Sequence, residues 1–537
     1  MPRLESRIDT RSERFRTQRA EMLERVEALR DIEAKVRKNS ERSRAKFEKR
    51  GQLLPRDRVA LLLDAGRPYL ELSTLAGLGM HDDDGGDGAQ GGGAISGIGF
   101  VAGKRCLVSA TDSGIKGGSV SPSGLKKGLR MQQIAFENKL PLVTLAESAG
   151  ANLLYQEEMF IEGGRTFANQ ARLSAAGIPQ VTVVHGSSTA GGAYLPGLSD
   201  YVVVVRNKSK IFLAGPPLLK AATGEVATDE ELGGAALHAE VAGTAEYMAE
   251  DDAHAIAVAR ELVGKLTWDT PQAPGAFEPP RYDAEELCGL VPQDFAKPYD
   301  VREVIARIVD GSDFLDFKAD YGVHTICGHA AVEGTPIGIL GNNGPIDPQG
   351  ATKAAQFIQL CSQSGTPLLF LQNTTGYLVG KEAESSGIVK HGSKMIQAVA
   401  NATVPKITLV IGGSWGAGNY GMAGRGLSPR FIFSWPNAKV GVMGPQQAAT
   451  VMEIITREKM MKKMGQEPPQ DFLDSLKEEL IKNMEPKTHV FYGSARLWDD
   501  GVIDPRDSRK VVAFCLATCR EAERRTLRPN TFGVARL

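Results

Sequence analysis

At 537 residues the chain is too long for one ordinary core, so it is expected to fold as two large domains with additions. Its 42% hydrophobic and 24% charged content is that of a globular protein, and no run of about 18 apolar residues is present to span a membrane. The formal net charge of −1 leaves no electrostatic reason to invoke nucleic acid or an anionic membrane.

Residues 1–50 place Met22, Leu23, Val26, Leu29, Ile32 and Val36 among charged neighbours, the spacing of amphipathic helices with solvated outer faces. Acids interleaved with the arginines argue against a nucleic-acid arm. The opening MPRLESRIDTRSERF has no apolar h-region, which argues against a signal or transit peptide and for a cytoplasmic, bacterial setting. Residues 81–93, HDDDGGDGAQGGG, read as a flexible linker loop, because alternating glycines give no rigid metal-ligand geometry.

From Gly97 to about Lys265, β-branched runs alternate with helical patterns. Leu142–Leu145 and Val181–His185 are predicted strands, and Glu157–Ala175 and Asp251–Leu266 predicted helices. Such alternation indicates βα units around a mostly parallel sheet, an α/β fold. Pro271, Pro274, Pro279 and Pro280 mark an interdomain linker. The expected organisation is a helical segment over 1–50, a first domain over 51–270, a linker over 271–297 and a second domain over 298–537. Ile454–Met484, rich in Lys, Met and Glu, reads as a helical excursion of the second domain alone. Cys106, Cys288, Cys327 and Cys361 are scattered, while Cys515 and Cys519 share a helix face. No CxxC pair exists, so a metal site is not expected.

The two domains repeat one another at a constant offset of 226 residues. Ile178-Pro179-Gln180-Val181-Thr182-Val183-Val184 recurs as Val404-Pro405-Lys406-Ile407-Thr408-Leu409-Val410. The same offset aligns Pro122 with Pro348, Pro141 with Pro367 and Gly150 with Gly376. Each copy runs from a buried strand into a small-residue turn, Ala190-Gly191-Gly192-Ala193-Tyr194 and Gly416-Ala417-Gly418-Asn419-Tyr420. Glycine lets a ligand oxygen approach the backbone, and two N–H groups aimed at one point make an oxyanion hole. A lone Gly-Gly turn is usually only a tight turn; its duplication is what points to a paired active site.

The stretches GSSTAGGAYLPGLSD (186–200), FLAGPPLLKAATGE (212–225), GYLVGKEAESSGIVKHGSK (376–394) and the run from Gly412 to Ala449 resemble the carboxyltransferase β subunits of biotin-dependent acyl-CoA carboxylases. The resemblance extends from about residue 20 to the C-terminus. SSTAGGAYLP and GAGNYGM look like the 3-methylcrotonyl-CoA and geranyl-CoA branch rather than the propionyl-CoA branch. It implies two tandem crotonase-like (ClpP/crotonase superfamily) domains after the N-terminal helices, one for the acyl-CoA and one for carboxybiotin.

By carry-over from the family, Gly191 and Gly192 hold the thioester oxygen, and Ala417 and Gly418 the ureido oxygen of biotin. Lys116, Gly117 and Gly118, with Lys126 and Lys127 nearby, correspond to the side that meets coenzyme A. Ser148, Ala149, Gly150, Ala151, Ala190 and Tyr194 are expected to line the acyl pocket, and Thr374, Thr375, Gly376, Gly380, Gly416 and Tyr420 the biotin side. Phe167-Ala168 stands where methylcrotonyl members carry two aromatics, so Ala168 is expected to deepen the pocket. Lys390, His391 and Lys394 read as a solvated helix face, and Trp415 as facing either biotin or the core.

The family takes its substrate proton with biotin itself, so no protein general base is required. It also implies that biotin and ATP belong to a separate biotin-carboxylase α subunit, and that β subunits form a hexamer within an α6β6 holoenzyme. Met461-Lys462-Lys463-Met464 lies in the helical insertion rather than a biotinylation hairpin, and no phosphate loop is present. A propionyl or broad-range carboxylase, a decarboxylase running in reverse, an enoyl-CoA hydratase and an assembly subunit are the rival readings.

Overall fold

The computed structural model describes residues 3–535 apart from 274 and 296, and the chain divides into two compact units. One comprises Arg30–Ala273, Ala495–Leu497 and Ala517–Leu537; the other comprises Met1–Leu29, Pro274–Ser494 and Trp498–Leu516.

The first unit is built on β1 (Leu70–Glu71), β2 (Ala94–Val101), β3 (Lys104–Thr111), β4 (Leu142–Ser148), β5 (Gln180–Thr189), β6 (Tyr201–Val205), β7 (Lys210–Phe212) and β8 (Tyr247–Ala249). Their order is β1-β2-β3-β4-β5-β6-β8, with β7 beside the end of β5. From β3 onward the pairings are parallel. A parallel sheet is covered on both faces, and its strands read as apolar runs for that reason. On one face Val108, Val143, Val181, Val183 and Val203 form one core with Val59 and Leu62 of the helix Pro55–Leu62 and with Ile256, Ala259 and Val263 of the helix Asp252–Lys265. On the other, Val184, Val202 and Val204 pack with Ile211, Ala235 and Ala245. Each such buried side chain contributes about 1.5–3 kcal/mol over its exposed state.

The second unit repeats the plan with β9 (Leu315–Asp316), β10 (Thr325–Val332), β11 (Thr335–Asn342), β12 (Leu368–Thr374), β13 (Lys406–Trp415), β14 (Phe431–Ser434) and β15 (Lys439–Gly441). The order is β14-β13-β12-β11-β10-β9, with β15 beside the end of β13. The offset holds in detail. Ser121 and Asp347 cap the helices Pro122–Glu137 and Pro348–Ser364 by accepting the Gly124 and Gly350 N–H groups, and each helix begins with proline. The bridge Val120↔Ala151 recurs as Ile346↔Tyr377.

The predicted helix Glu157–Ala175 is observed as Gln156–Ala175, and Asp251–Leu266 as Asp252–Lys265 with Asp251 as its N-cap. Met22, Val26, Leu29 and Val36 are the buried face of a 29-residue helix, Glu13–Glu41. The Lys- and Met-rich stretch forms two helices, Pro445–Met464 and Gln470–Thr488, and Cys515 and Cys519 are buried on the helix Ser508–Arg524.

Two expectations are corrected. Residues 81–93 are not a flexible linker: the buried Asp83 carboxylate accepts N–H groups from Gly85 at 2.8 Å and Gln90 at 2.7 Å, folding the loop about itself. The passage 271–297 is not linker throughout either. Leu287, Cys288, Leu290 and Val291 are buried within their unit, because a 3₁₀ turn, Ala284–Gly289, interrupts the irregular stretch.

Candidate active site

In each unit the sheet delivers a long strand into the repeated turn. β5 ends at Thr189 and continues as the 3₁₀ turn Ala190–Ala193 and the short helix Tyr194–Gly197. β13 ends at Trp415 and continues as the helix Gly416–Gly421. The aligned Ala190 and Gly416 both take φ +52°, a left-handed bend between strand and helix. Glycine adopts it freely, whereas for the alanine it costs about 1–2 kcal/mol. The first N–H groups of a helical turn have no partner inside it. Gly191 and Gly192 in one unit, and Ala417 and Gly418 in the other, carry those groups.

The turns are seated on the segment after the neighbouring strand. A Cβ on Gly192 would lie 3.2 Å from Ser148 Cβ and Oγ, and one on Gly418 would lie 2.8 Å from Gly376 Cα and 3.0 Å from Thr374 Cγ2. Ser148 Oγ accepts the Gly150 N–H at 3.1 Å, and Thr374 Oγ1 accepts the Gly376 N–H at 3.2 Å. Gly150 and Gly376 have φ of +87° and +122°. Ser188 Oγ donates to Gly192 O at 2.8 Å, and Asn419 Nδ2 donates to Ser414 Oγ at 2.7 Å. Thus the structure brings Ser148 and Gly150 to Gly192 and Ala190 in one unit, and Thr374 and Gly376 to Gly418 in the other. Gly380, at φ +133°, starts the helix Lys381–Ser385.

Tyr194 and Tyr420, aligned in the repeat, are each 47% exposed beside their turns. The Phe167 ring is the group against the first turn: it would be 3.6 Å from a Cβ on Gly191, and it meets Tyr194 edge-on at 5.5 Å between centroids. Ala168 beside it is half-buried. Sequence reasoning passed over Phe167, although it stands in the same pair of residues as Ala168.

Gly117 and Gly118 both take positive φ, and Ala149 donates to Gly118 O at 3.3 Å, so this turn adjoins the Ser148–Ala151 segment. Lys116 pairs with Asp82 at 2.9 Å, and Asp82 also accepts from Tyr155 and Asn152. Lys126 is exposed, but Lys127 cannot meet a ligand. It is buried and donates to Gly91 O and Ala94 O, and burial lowers its pKa to about 8.

His391 sits differently from expectation, and Trp415 takes the second of its two expected positions. His391 is half-buried with its Nδ1 2.8 Å from Thr352 Oγ1, so it is not part of a solvated face, although Lys390 and Lys394 are exposed. Trp415 lies inward: its ring edge would be 2.8 Å from a Cβ on Gly413 and 3.1 Å from one on Gly441, which makes it core beneath the turn. Among the described residues no cluster of His, Cys, Asp and Glu could hold a metal, and no helix is long and apolar enough to cross a membrane.

Two backbone donors converging on one oxygen stabilise charge that develops there, and each is worth about 2.7–4 kcal/mol in a water-poor site. A protein with two such turns is equipped for a reaction in which two carbonyl oxygens become negative. Comparison with known proteins identifies the family. The carboxyl transferase domain family matches residues 46–534. The mitochondrial methylcrotonoyl-CoA carboxylase beta chain of Dictyostelium discoideum is 48% identical over 522 residues, covering 96% of this chain and 88% of that one. The biotin-dependent 3-methylcrotonyl-coenzyme A carboxylase beta1 subunit of Mycobacterium tuberculosis is 47% identical over 492 residues, covering 90% and 91%. The crystal structure of the geranyl-CoA carboxylase beta subunit of P. aeruginosa superposes with a TM-score of 0.94 at 59% identity, covering 100% of both chains. The chain therefore belongs to the carboxyl transferase family, as a carboxyltransferase β subunit of the biotin-dependent acyl-CoA carboxylases.

Proposed function

We propose that this subunit carboxylates an α,β-unsaturated branched acyl-CoA, either 3-methylcrotonyl-CoA or geranyl-CoA, at the carbon γ to the thioester. The observation that carries the proposal is the pair of like-built but unlike-sequenced turns, Ala190-Gly191-Gly192 and Gly416-Ala417-Gly418, each seated on its own glycine segment. The β chains to which the chain is similar, named for these two substrates, support the choice.

In this reading the Gly191 and Gly192 N–H groups receive the thioester oxygen as the dienolate forms. Ser148–Ala151 and Phe167, Ala168 and Tyr194 bound the acyl chain. Lys116 and the Gly117-Gly118 turn receive the coenzyme A end, with Lys116 exchanging its Asp82 partner for a phosphate. The biotin ring would be received at the second turn, whose backbone is packed without side chains between Gly418 and Gly376. Thr374, Thr375, Gly376, Gly380 and Tyr420 border that position. When bound, carboxybiotin supplies the carbon dioxide and the base. The Ala417 and Gly418 N–H groups hold its ureido oxygen and oppose misplacement of the ring.

Biotin and ATP chemistry reside on a separate α subunit, and six β chains with six α chains form the working assembly. The test is transfer of labelled carbon dioxide from a carboxylated biotin donor to a panel of acyl-CoAs. Geranyl- and methylcrotonyl-CoA should be labelled well ahead of propionyl-CoA. No labelled acyl-CoA at all would end the proposal, and equal labelling of propionyl-CoA would move it to the broad-range class. Ala168→Phe should shift preference toward short acyl groups, and an unchanged preference would remove Ala168 from the pocket wall.

A further inference from the structure

The two turns are held at the same place by different chemistry. Both long strands bulge just before their turn, since Ala146 pairs with Val184 but Ser148 with Ser188, and likewise Gln372 with Val410 but Thr374 with Ser414. A bulge at a strand end re-aims the residues beyond it, here the oxyanion turn. One side chain of the neighbouring strand lies under each bulge. These are the aligned Glu147, against Gly186, and Asn373, against Gly412. Asn373 fastens its bulge directly, its Oδ1 accepting the Gly413 N–H at 2.8 Å.

Glu147 instead joins a buried group of four. Arg58 donates from Nη1 to Glu147 Oε2 at 2.7 Å and from Nε to Asp252 Oδ2 at 3.0 Å, and His185 Nδ1 lies 2.8 Å from Asp252 Oδ1. The side chains are 2%, 9%, 3% and 0% exposed for Arg58, Glu147, Asp252 and His185. His185 is itself a residue of the bulge. Burial keeps its pKa below the usual value, so the neutral ring donates its Nδ1–H to the ionised Asp252. Ile411 stands at the aligned position of the second copy. Taking four such groups out of water is costly, and an apolar cluster would fill the same volume at lower cost.

Resting on the function proposed above, we infer that Arg58, Glu147, Asp252 and His185 are positioning residues for the acyl-CoA turn, fixing the bulge that aims Gly191 and Gly192. The test is E147Q, which keeps the shape and removes the charge, measured in the reconstituted holoenzyme with a geranyl- and methylcrotonyl-CoA panel. We expect kcat per folded molecule to fall about tenfold to a hundredfold, with KM for the acyl-CoA near that of the wild type and a lowered thermal transition. R58K, which replaces the fixed guanidinium fork with one compact ammonium, should lower kcat in the same way and serves if E147Q does not fold. Wild-type kcat in the folded variants, or a fall matched by the loss of folded protein, overturns the inference. Failure of the wild-type chain to transfer carboxylate at all would instead overturn the proposed function.

Discussion

Replacing Gly192 with alanine tests the aim of a single backbone donor. Gly192 lies outside the left-handed region, so alanine meets no conformational barrier there. Its Cβ would come to 3.2 Å from both Ser148 Cβ and Oγ, tighter than ordinary van der Waals contact. Relief requires the turn and the Ser148 segment to part by a few tenths of an ångström, on the order of 0.3 Å. Ser148 also accepts the Gly150 N–H, and Ser188 holds Gly192 O, so the displacement passes to both walls of the acyl site. Loss of one oxyanion donor costs about 2.7–4 kcal/mol of barrier, which is about a hundredfold to a thousandfold in kcat. Gly128→Ala, on the helix Pro122–Glu137, is the control, since its Cβ would meet nothing within 4 Å. The assay is carboxyl transfer by the reconstituted holoenzyme, with calorimetric unfolding alongside. If G192A keeps kcat within about threefold of the wild type, the donor assignment at Gly192 is wrong.

Gly418→Ala should slow transfer more than G192A, because its Cβ would fall 2.8 Å from the Gly376 backbone, which cannot swing aside; equal rates for G418A and the wild type would refute the second oxyanion hole. Ala190→Gly should stabilise the protein by about 0.5–1 kcal/mol, the relief of a left-handed alanine less the added chain entropy, read as a raised denaturant midpoint. Gly416→Ala should destabilise by about 1–2 kcal/mol, since it combines φ +52° with a Cβ 3.1 Å from Val442 O. Burial raises the pKa of Asp499 to about 6, above its unfolded value. The native state therefore holds that proton more tightly, and stability falls as pH rises from about 4 to about 6. Asp499→Asn should abolish that share of the slope, making the variant more stable than the wild type at pH 8 by up to about 3 kcal/mol in urea titrations.

The amino-acid sequence by itself determined the duplication and the pair of small-residue turns within it. The constant offset placed both turns and the strands ahead of them, because these features are properties of consecutive residues: a β-branched run and a small residue at a sharp bend. Gly191-Gly192 and Ala417-Gly418 were legible for that reason. Tertiary structure decided which side chains reach those turns. Lys127 looks from sequence like a phosphate ligand, yet it folds inward onto two carbonyls 33 and 36 residues earlier. Phe167 outranks Ala168 at Gly191 because a helix rotates neighbouring residues by about 100°. The linker prolines concealed the buried Leu287–Val291, and the acidic loop concealed Asp83 folding it from within. Arg58 and Asp252 are 194 positions apart and meet only because two helices cover the same strand ends. No periodicity records such a meeting, for the cost of burying charge is settled by neighbours that only the folded chain supplies.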